Sequence, residues 1–352
     1  MLNGKGRFGL ATLACVGLAI AISNTPAAAW KRGAVQTFAL PQGVPMVEGL
    51  TVDTRGNGNV YVSTFNPTGS GNSLLLTFNA QGRLLRTVPI QNSSSAMLGL
   101  AIRPGTTDTH VLAIDFGKSQ VLEVNPNDGK STVCITLPGP PPPPPGNGLN
   151  AITFDAAGNT YISDSFQGII WRRPPGAICG VAEVWVTSDL LLPKTGVPGF
   201  GANGLGFNHA NTALFVANTA MDWIVKIPVT GGNPGTPEVF TNSINGADGL
   251  VLDSDDNIWV AANQADEIVV VDPTGKAIAK LGDFDGVQNG VTRGLLFPAS
   301  PAFSKDGNWL FVTNLELDLR TIGGPQTVDS QWAAQVEQHS IARLGARIPP
   351  ID

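Results

Sequence analysis

From Ala34 onward the chain is a succession of short apolar runs with residue-by-residue alternation, broken by turns rich in Gly, Pro, Asn and Asp. Alternation with a period of two predicts strands. The runs also repeat. One pattern recurs six times: a variable residue, then Gly or Ala, then Leu or Ile, then a β-like alternation. It reads Glu48-Gly49-Leu50, Leu98-Gly99-Leu100, Asn150-Ala151-Ile152, Asn203-Gly204-Leu205, Asp248-Gly249-Leu250 and Arg293-Gly294-Leu295, at spacings of 50, 52, 53, 45 and 45 residues. Each copy leads through a turn such as Asp253-Ser254-Asp255-Asp256-Asn257 into a second apolar run, then a third, and in five units a fourth. The sixth unit ends after its third strand, and Ala34 to Leu40, which belongs to no unit, can supply the missing partner. Four-stranded units of this length predict an all-β, six-bladed β-propeller whose last blade is completed by the N-terminal strand. Residues 30–352 then form one domain.

Composition narrows the alternatives. Of 352 residues, 42 are Gly and 27 are Pro, and only 14% are charged against a usual quarter. So few charged side chains cannot coat a helical bundle, while 42% hydrophobic content and seven Trp suffice for a core and argue against disorder. Residues 1–29 read as a secretory signal: Lys5 and Arg7 precede the apolar stretch Phe8 to Ile22, and Ala27-Ala28-Ala29 offers a cleavage site. No other segment is apolar enough to span a membrane, so the mature chain is expected to be secreted or periplasmic, with no membrane contact after cleavage, and monomeric. Without Lys5 and Arg7, 19 of the 21 basic residues remain against 27 acidic ones, a net charge near −8 with no basic stripe, which disfavours nucleic acid as a partner. Cys134 and Cys179 remain, as one disulfide or as two buried thiols. Three His and no clustered Cys argue against zinc or iron.

In a propeller the first strand of each blade lines the axis, so the six variable residues should converge: Glu48, Leu98, Asn150, Asn203, Asp248 and Arg293. Four of them carry side-chain oxygens. Two carboxylates and two carboxamides meeting in a narrow channel are costly unless a cation joins them, and Ca²⁺ takes this oxygen set more readily than Mg²⁺, which keeps its waters. Another divalent ion is possible. The alternative is that Arg293 neutralises the carboxylates; it could also sit beside the ion and hold substrate.

The ordered set Glu48, Asn150, Asn203 and Asp248, each followed by Gly or Ala and then Leu or Ile, resembles the gluconolactonase/senescence-marker-protein family, which is related to calcium-dependent phosphotriesterases and paraoxonase-like lactonases. The segment Asp248 to Asp253 followed by Asn257-Ile258-Trp259-Val260 carries the resemblance most specifically, and it extends from about Met46 to Leu315. It implies that Glu48, Asn203 and Asp248 hold a divalent ion, that Asn150 is a ligand or a substrate contact, and that Asp248 is the base or nucleophile. Arg293 has no counterpart there.

Long loops are expected on the ligand face: Pro138 to Leu149 with its run Pro140 to Pro145, Ser188 to Ala202, Gly282 to Thr292, and Leu315 to Gln335, the last a candidate lid. Polar residues end the second strands, and of these Asp164 and Asn218 are expected to support the ligands or contact substrate. No His is placed for a Ser-His-Asp triad. Two functions remain open: a Ca²⁺-dependent hydrolase of a lactone or related ester acting on a small molecule, or a non-catalytic propeller that binds a ligand or partner around a structural Ca²⁺.

Overall fold

Val, Ile and Leu runs bounded by Asp, Asn and Gly turns fold as strands because the branched side chains pack on a pleated surface and the turn residues accept tight backbone geometry. At the turns before the second strands of blades 3 and 5, an Asp also braces an aromatic of that strand: the Tyr161 hydroxyl donates to Asp155 at 3.0 Å and the Trp259 indole N–H to Asp253 at 2.8 Å. The computed structural model describes residues 1, 32–104, 109–175, 179–194 and 199–348, so the expected signal over residues 1–29 lies outside the described residues except for Met1. Among the described residues the strands form six sheets of four or five strands, arranged as a six-bladed β-propeller, and one separate two-stranded hairpin. Among the described residues the single α-helix, Val328–Ala333, is short, and no helix is long and apolar enough to cross a membrane.

The inner strands, in blade order, are Met46–Val52, Met97–Ile102, Leu149–Phe154, Ala202–Phe207, Ala247–Leu252 and Pro298–Phe303. Each packs against the inner strands of both neighbouring blades, the first against the sixth included. The sheet of Pro298–Phe303, Trp309–Asn314 and Ile341–Gly345 carries Gln36–Ala39 on its outer side, antiparallel to Ile341–Gly345. Gly180–Val181 pairs in parallel with Ser131–Thr136, the outer strand of blade 2, and a disulfide joins Cys179 to Cys134 there.

The sixth repeat differs from its expected position. Arg293 and Gly294 belong to the hairpin Phe284–Gln288 and Val291–Gly294, outside the six sheets, and Arg293 is exposed. The sixth inner strand begins five residues later. Its register fixes the equivalence: Pro298 faces Asn314 and Pro301 faces Val312, as Val47 faces Thr64 and Leu50 faces Val62 in blade 1. The sixth variable position is therefore Ala299.

All six inner strands slip register at this same point. In blade 1 Glu48 and Gly49 together oppose Ser63, a β-bulge that re-aims a side chain out of the regular alternation. Hydroxyls tie several bulges to the next blade. Ser63 accepts from Gly49 N–H at 3.1 Å and donates to the Leu98 carbonyl at 3.0 Å, and Thr313 donates to the Glu48 carbonyl at 2.6 Å. The glycine of the repeat has its own cause. A β-carbon on Gly204 would lie 2.5 Å from the Asp248 carbonyl oxygen, and one on Gly249 2.4 Å from that of Ala299. Each glycine makes room for the next blade's backbone.

Gly204→Ala should consequently force neighbouring inner strands apart and cost about 1–3 kcal/mol, as overpacking does. Gly345→Ala, with open space around the new carbon, should leave stability nearly unchanged. Denaturant midpoints of the two variants check this; equal midpoints would show that the close approach does not set the ring.

Candidate functional site

The bulges deliver Glu48, Leu98, Asn150, Asn203 and Asp248 to one small cavity of about 40 Å³ at one end of the channel. Glu48 and Asp248 are only 4% and 5% exposed, and the two asparagines are equally buried. The structure thus brings together the four oxygen-bearing residues anticipated from sequence. The fifth, Leu98, is apolar, and the sixth position, Ala299, lies wholly buried in the apolar cluster above.

Two further polar side chains join the floor. Asn263, just after the second strand of blade 5, donates from Nδ2 to Asp248 Oδ2 at 3.0 Å. Thr219 accepts from Asn203 Nδ2 at 2.9 Å and donates to the Ala247 carbonyl at 2.7 Å, pinning the carboxamide. Asp164 and Asn218, expected near the site, do not line it. Asp164 accepts from the backbone N–H of Gly148, Phe166 and Gln167 and from the Trp171 indole, and Asn218 donates to the carbonyls of Leu190 and Leu192. Both are consumed in holding loops. Nor does Arg293 line the cavity, since it lies on the outer hairpin.

The position of Ala299 was available in the sequence. In blades 1, 3, 4 and 5 the turn residue follows the variable one by five positions, as Asp53 follows Glu48, Asp155 follows Asn150, Asn208 follows Asn203 and Asp253 follows Asp248. Counting back five from Ser304, which opens the last such turn, gives Ala299.

Electrostatics at the floor are unbalanced. Burial raises the Glu48 carboxyl well above its ordinary value, and the facing charge of Asp248 adds to this. Burial pushes the Asp248 carboxyl up to about 7 against the opposing pull of its hydrogen bonds from Asn263 and Asn203. Among the described residues no Lys, Arg or His lines the cavity, so no side-chain cation offsets the pair. Glu48 Oε2 and Asn263 Oδ1 are buried with no hydrogen-bond partner among the protein's groups. Orphaned buried oxygens beside two carboxylates fit a hard divalent cation, which takes oxygen ligands of this kind. A separate cluster among the described residues, Glu123 with Cys134 and Cys179, has both sulfurs committed to the disulfide.

The walls above the floor are apolar: Phe65, Phe200, Phe297, Leu315, Leu317 and Ile322. The last three come from the expected lid, which carries a 3₁₀ turn, Leu319–Ile322, and the helix Val328–Ala333, capped by Thr327. Glu316 fastens its base, accepting from Ser340 Oγ at 3.0 Å and meeting His339 Nδ1 at 2.6 Å. The proline run Pro140 to Pro145 includes a cis Pro144–Pro145 bond, and none of its prolines lines the cavity.

A family described as "SMP-30/Gluconolactonase/LRE-like region" matches residues 93–315. Among curated protein sequences none matches the chain. Solved structures share the fold at low identity. A gluconolactonase of Xanthomonas campestris is 13% identical with a TM-score of 0.61, covering 89% of this chain and 91% of its own. Regucalcin of Agrobacterium tumefaciens, described as a calcium-binding protein, is 19% identical at a TM-score of 0.60 over 87% and 94%. The virginiamycin B lyase of Staphylococcus aureus is 14% identical at 0.52 over 88% and 98%.

In the metal-free protein the Asp248 carboxyl is raised in the folded state, so its contribution to stability is present below the unfolded value near 4 and is lost as pH climbs through about 7. The melting temperature of EDTA-treated protein should fall between pH 5 and pH 8, and a divalent cation should restore more at pH 8 than at pH 5. Asp266 is also pushed up to about 7 by burial, so the comparison is wild type against Asp248→Asn. Differential scanning fluorimetry should show a shallower fall in the variant, whereas parallel curves would remove Asp248 as the source.

Proposed function

We propose that this chain, which belongs to the SMP-30/gluconolactonase/LRE-like family, is a metal-dependent hydrolase that opens a lactone or related ester of a small molecule. The observation that carries this reading is the buried pair Glu48 and Asp248, with orphaned oxygens beside it and no side-chain cation in the lining. Glu48, Asn150, Asn203 and Asp248 would hold the ion, Ca²⁺ being the best match to an all-oxygen, mixed-charge set. A divalent ion, when bound, supplies the Lewis acidity that polarises an ester carbonyl.

The chain's own residues do the rest. Asp248 is the group at the floor that can take a proton from an attacking water, and its buried carboxyl is biased toward holding one. Asn263 fixes Oδ2 of that carboxylate. Asn203, pinned by Thr219, keeps its carboxamide oriented. The lid and Phe200 keep bulk water from the floor. Export fits the same picture: the Cys134–Cys179 disulfide supports passage through an oxidising compartment after a leader over residues 1–29.

A second reading is favoured by one feature. A cavity of about 40 Å³ beneath the lid has room for an ion and a water but not for a lactone ring, as a structural plug would require. Asp248→Asn separates the two. As a hydrolase, the protein should lose at least 100-fold in kcat/KM on whichever of the aldonolactones, alkyl lactones and aryl phosphotriesters it turns over, and EDTA should abolish the activity. Turnover at the wild-type rate in a variant whose melting temperature still rises with Ca²⁺ would leave only the structural role.

A further inference from the structure

The walls of the site constrain the substrate. Every polar group in the lining lies at the floor: Glu48, Asn150, Asn203, Thr219, Asp248 and Asn263. Several of these are already engaged with one another, Thr219 on both sides and Asn263 through Nδ2. Above them the lining is Phe65, Leu98, Phe200, Phe297, Leu317 and Ile322, and Leu315 completes it. The apolar surface is continuous. Leu98 and Ala299, the two ring positions without a polar side chain, belong to the same packed cluster as Phe65, Phe297 and the lid's Leu315, Leu317 and Leu319. Outward from the cavity the aromatic lining continues, with Phe116 5.9 Å from Phe166 and 6.1 Å from Phe200, and Phe166 5.3 Å from Phe200.

Resting on the ester-hydrolase reading above, we propose that the substrate is an uncharged lactone or ester with an apolar acyl or alkyl portion. Its carbonyl faces the polar floor and its apolar portion takes the place of the lid's side chains against Phe200 and Phe65. A substrate larger than the cavity must displace the lid, and the surfaces this movement uncovers are Leu315, Leu317 and Ile322 on one side and phenylalanines on the other. A polyhydroxylated ring would bury hydroxyls against these walls and forfeit their hydrogen bonds to water without replacement. A phosphorylated or carboxylated substrate would meet no cationic side chain, since none among the described residues lines the site.

The test uses full-length protein with Ca²⁺ and two readouts. In the first, kcat/KM is measured for γ-butyrolactone, γ-hexalactone, γ-octalactone, γ-decalactone and glucono-1,5-lactone. The value should rise two- to fourfold per added methylene, fourfold being the ceiling for full burial, with gluconolactone below butyrolactone. In the second, calorimetry compares two non-hydrolysable lactams, pyrrolidin-2-one and 5-hexylpyrrolidin-2-one, and the longer should bind at least tenfold more tightly. Phe200→Ala and Ile322→Ala, both at half-buried positions that should tolerate truncation, should flatten both trends without lowering the melting temperature appreciably. Chain-length-independent lactam binding, or a preference for gluconolactone, overturns the proposal even if hydrolysis is established. Tight binding of the longer lactam with no turnover of any lactone sustains the apolar site and defeats the hydrolase reading instead.

Discussion

Carbonyl oxygens that lie where a β-carbon would be set the bore of this propeller. The Asp248 carbonyl seats against Gly204, and that of Ala299 against Gly249. Inner strands brought this close leave little room at the axis, so whatever the bulges turn inward is desolvated together. The raised carboxyls of Glu48 and Asp248 follow from that bore, because burial is the largest cause for both.

The bulge is what lets a strand that packs tightly on its neighbours still present a functional group. In an unbroken alternation the side chain at Glu48 would be committed to one face of its sheet, and the extra residue re-aims it. Hydroxyls of Ser63 and Thr313 then hold the carbonyls of Leu98 and Glu48, so backbone contacts between blades add to the side-chain hydrogen bonds in positioning the ring residues. A site held this way is organised before any ion or substrate arrives.

Much of this was legible in the sequence because each blade writes its strands in the same order. Leu74–Phe78, Gln120–Val124 and Glu267–Val271 fold as third strands and Ala277–Leu281 as a fourth, in the order the repeat predicts. The ring residues Glu48, Asn150, Asn203 and Asp248 were readable for the same reason. The sixth was misplaced because Arg293-Gly294-Leu295 reproduces the pattern in a hairpin, while the true strand carries Ser300 and Pro301 in place of Gly and Leu. Asp164 and Asn218 end their second strands opposite Leu149 and Ala202, a register position that Ala262 holds in blade 5. Asn263 is one residue farther on and equivalent to Thr219, and side chains at that next position line the cavity, whereas those of Asp164 and Asn218 turn to the loops. The helix Val328–Ala333 is only six residues long, fewer than two turns, so its pattern repeats too little to separate it from a loop.

The disulfide between Cys134 and Cys179 encloses the three inner strands of blade 3, Asn150 among them, in a covalent loop. The exposed connection around Pro140 to Pro145 lies inside that loop. A single nick there would open the loop without dividing the molecule, since both new ends stay attached through the sulfur bridge. Blade 3 would keep its place in the ring through a cleavage that, in a reduced chain, would produce two separable fragments.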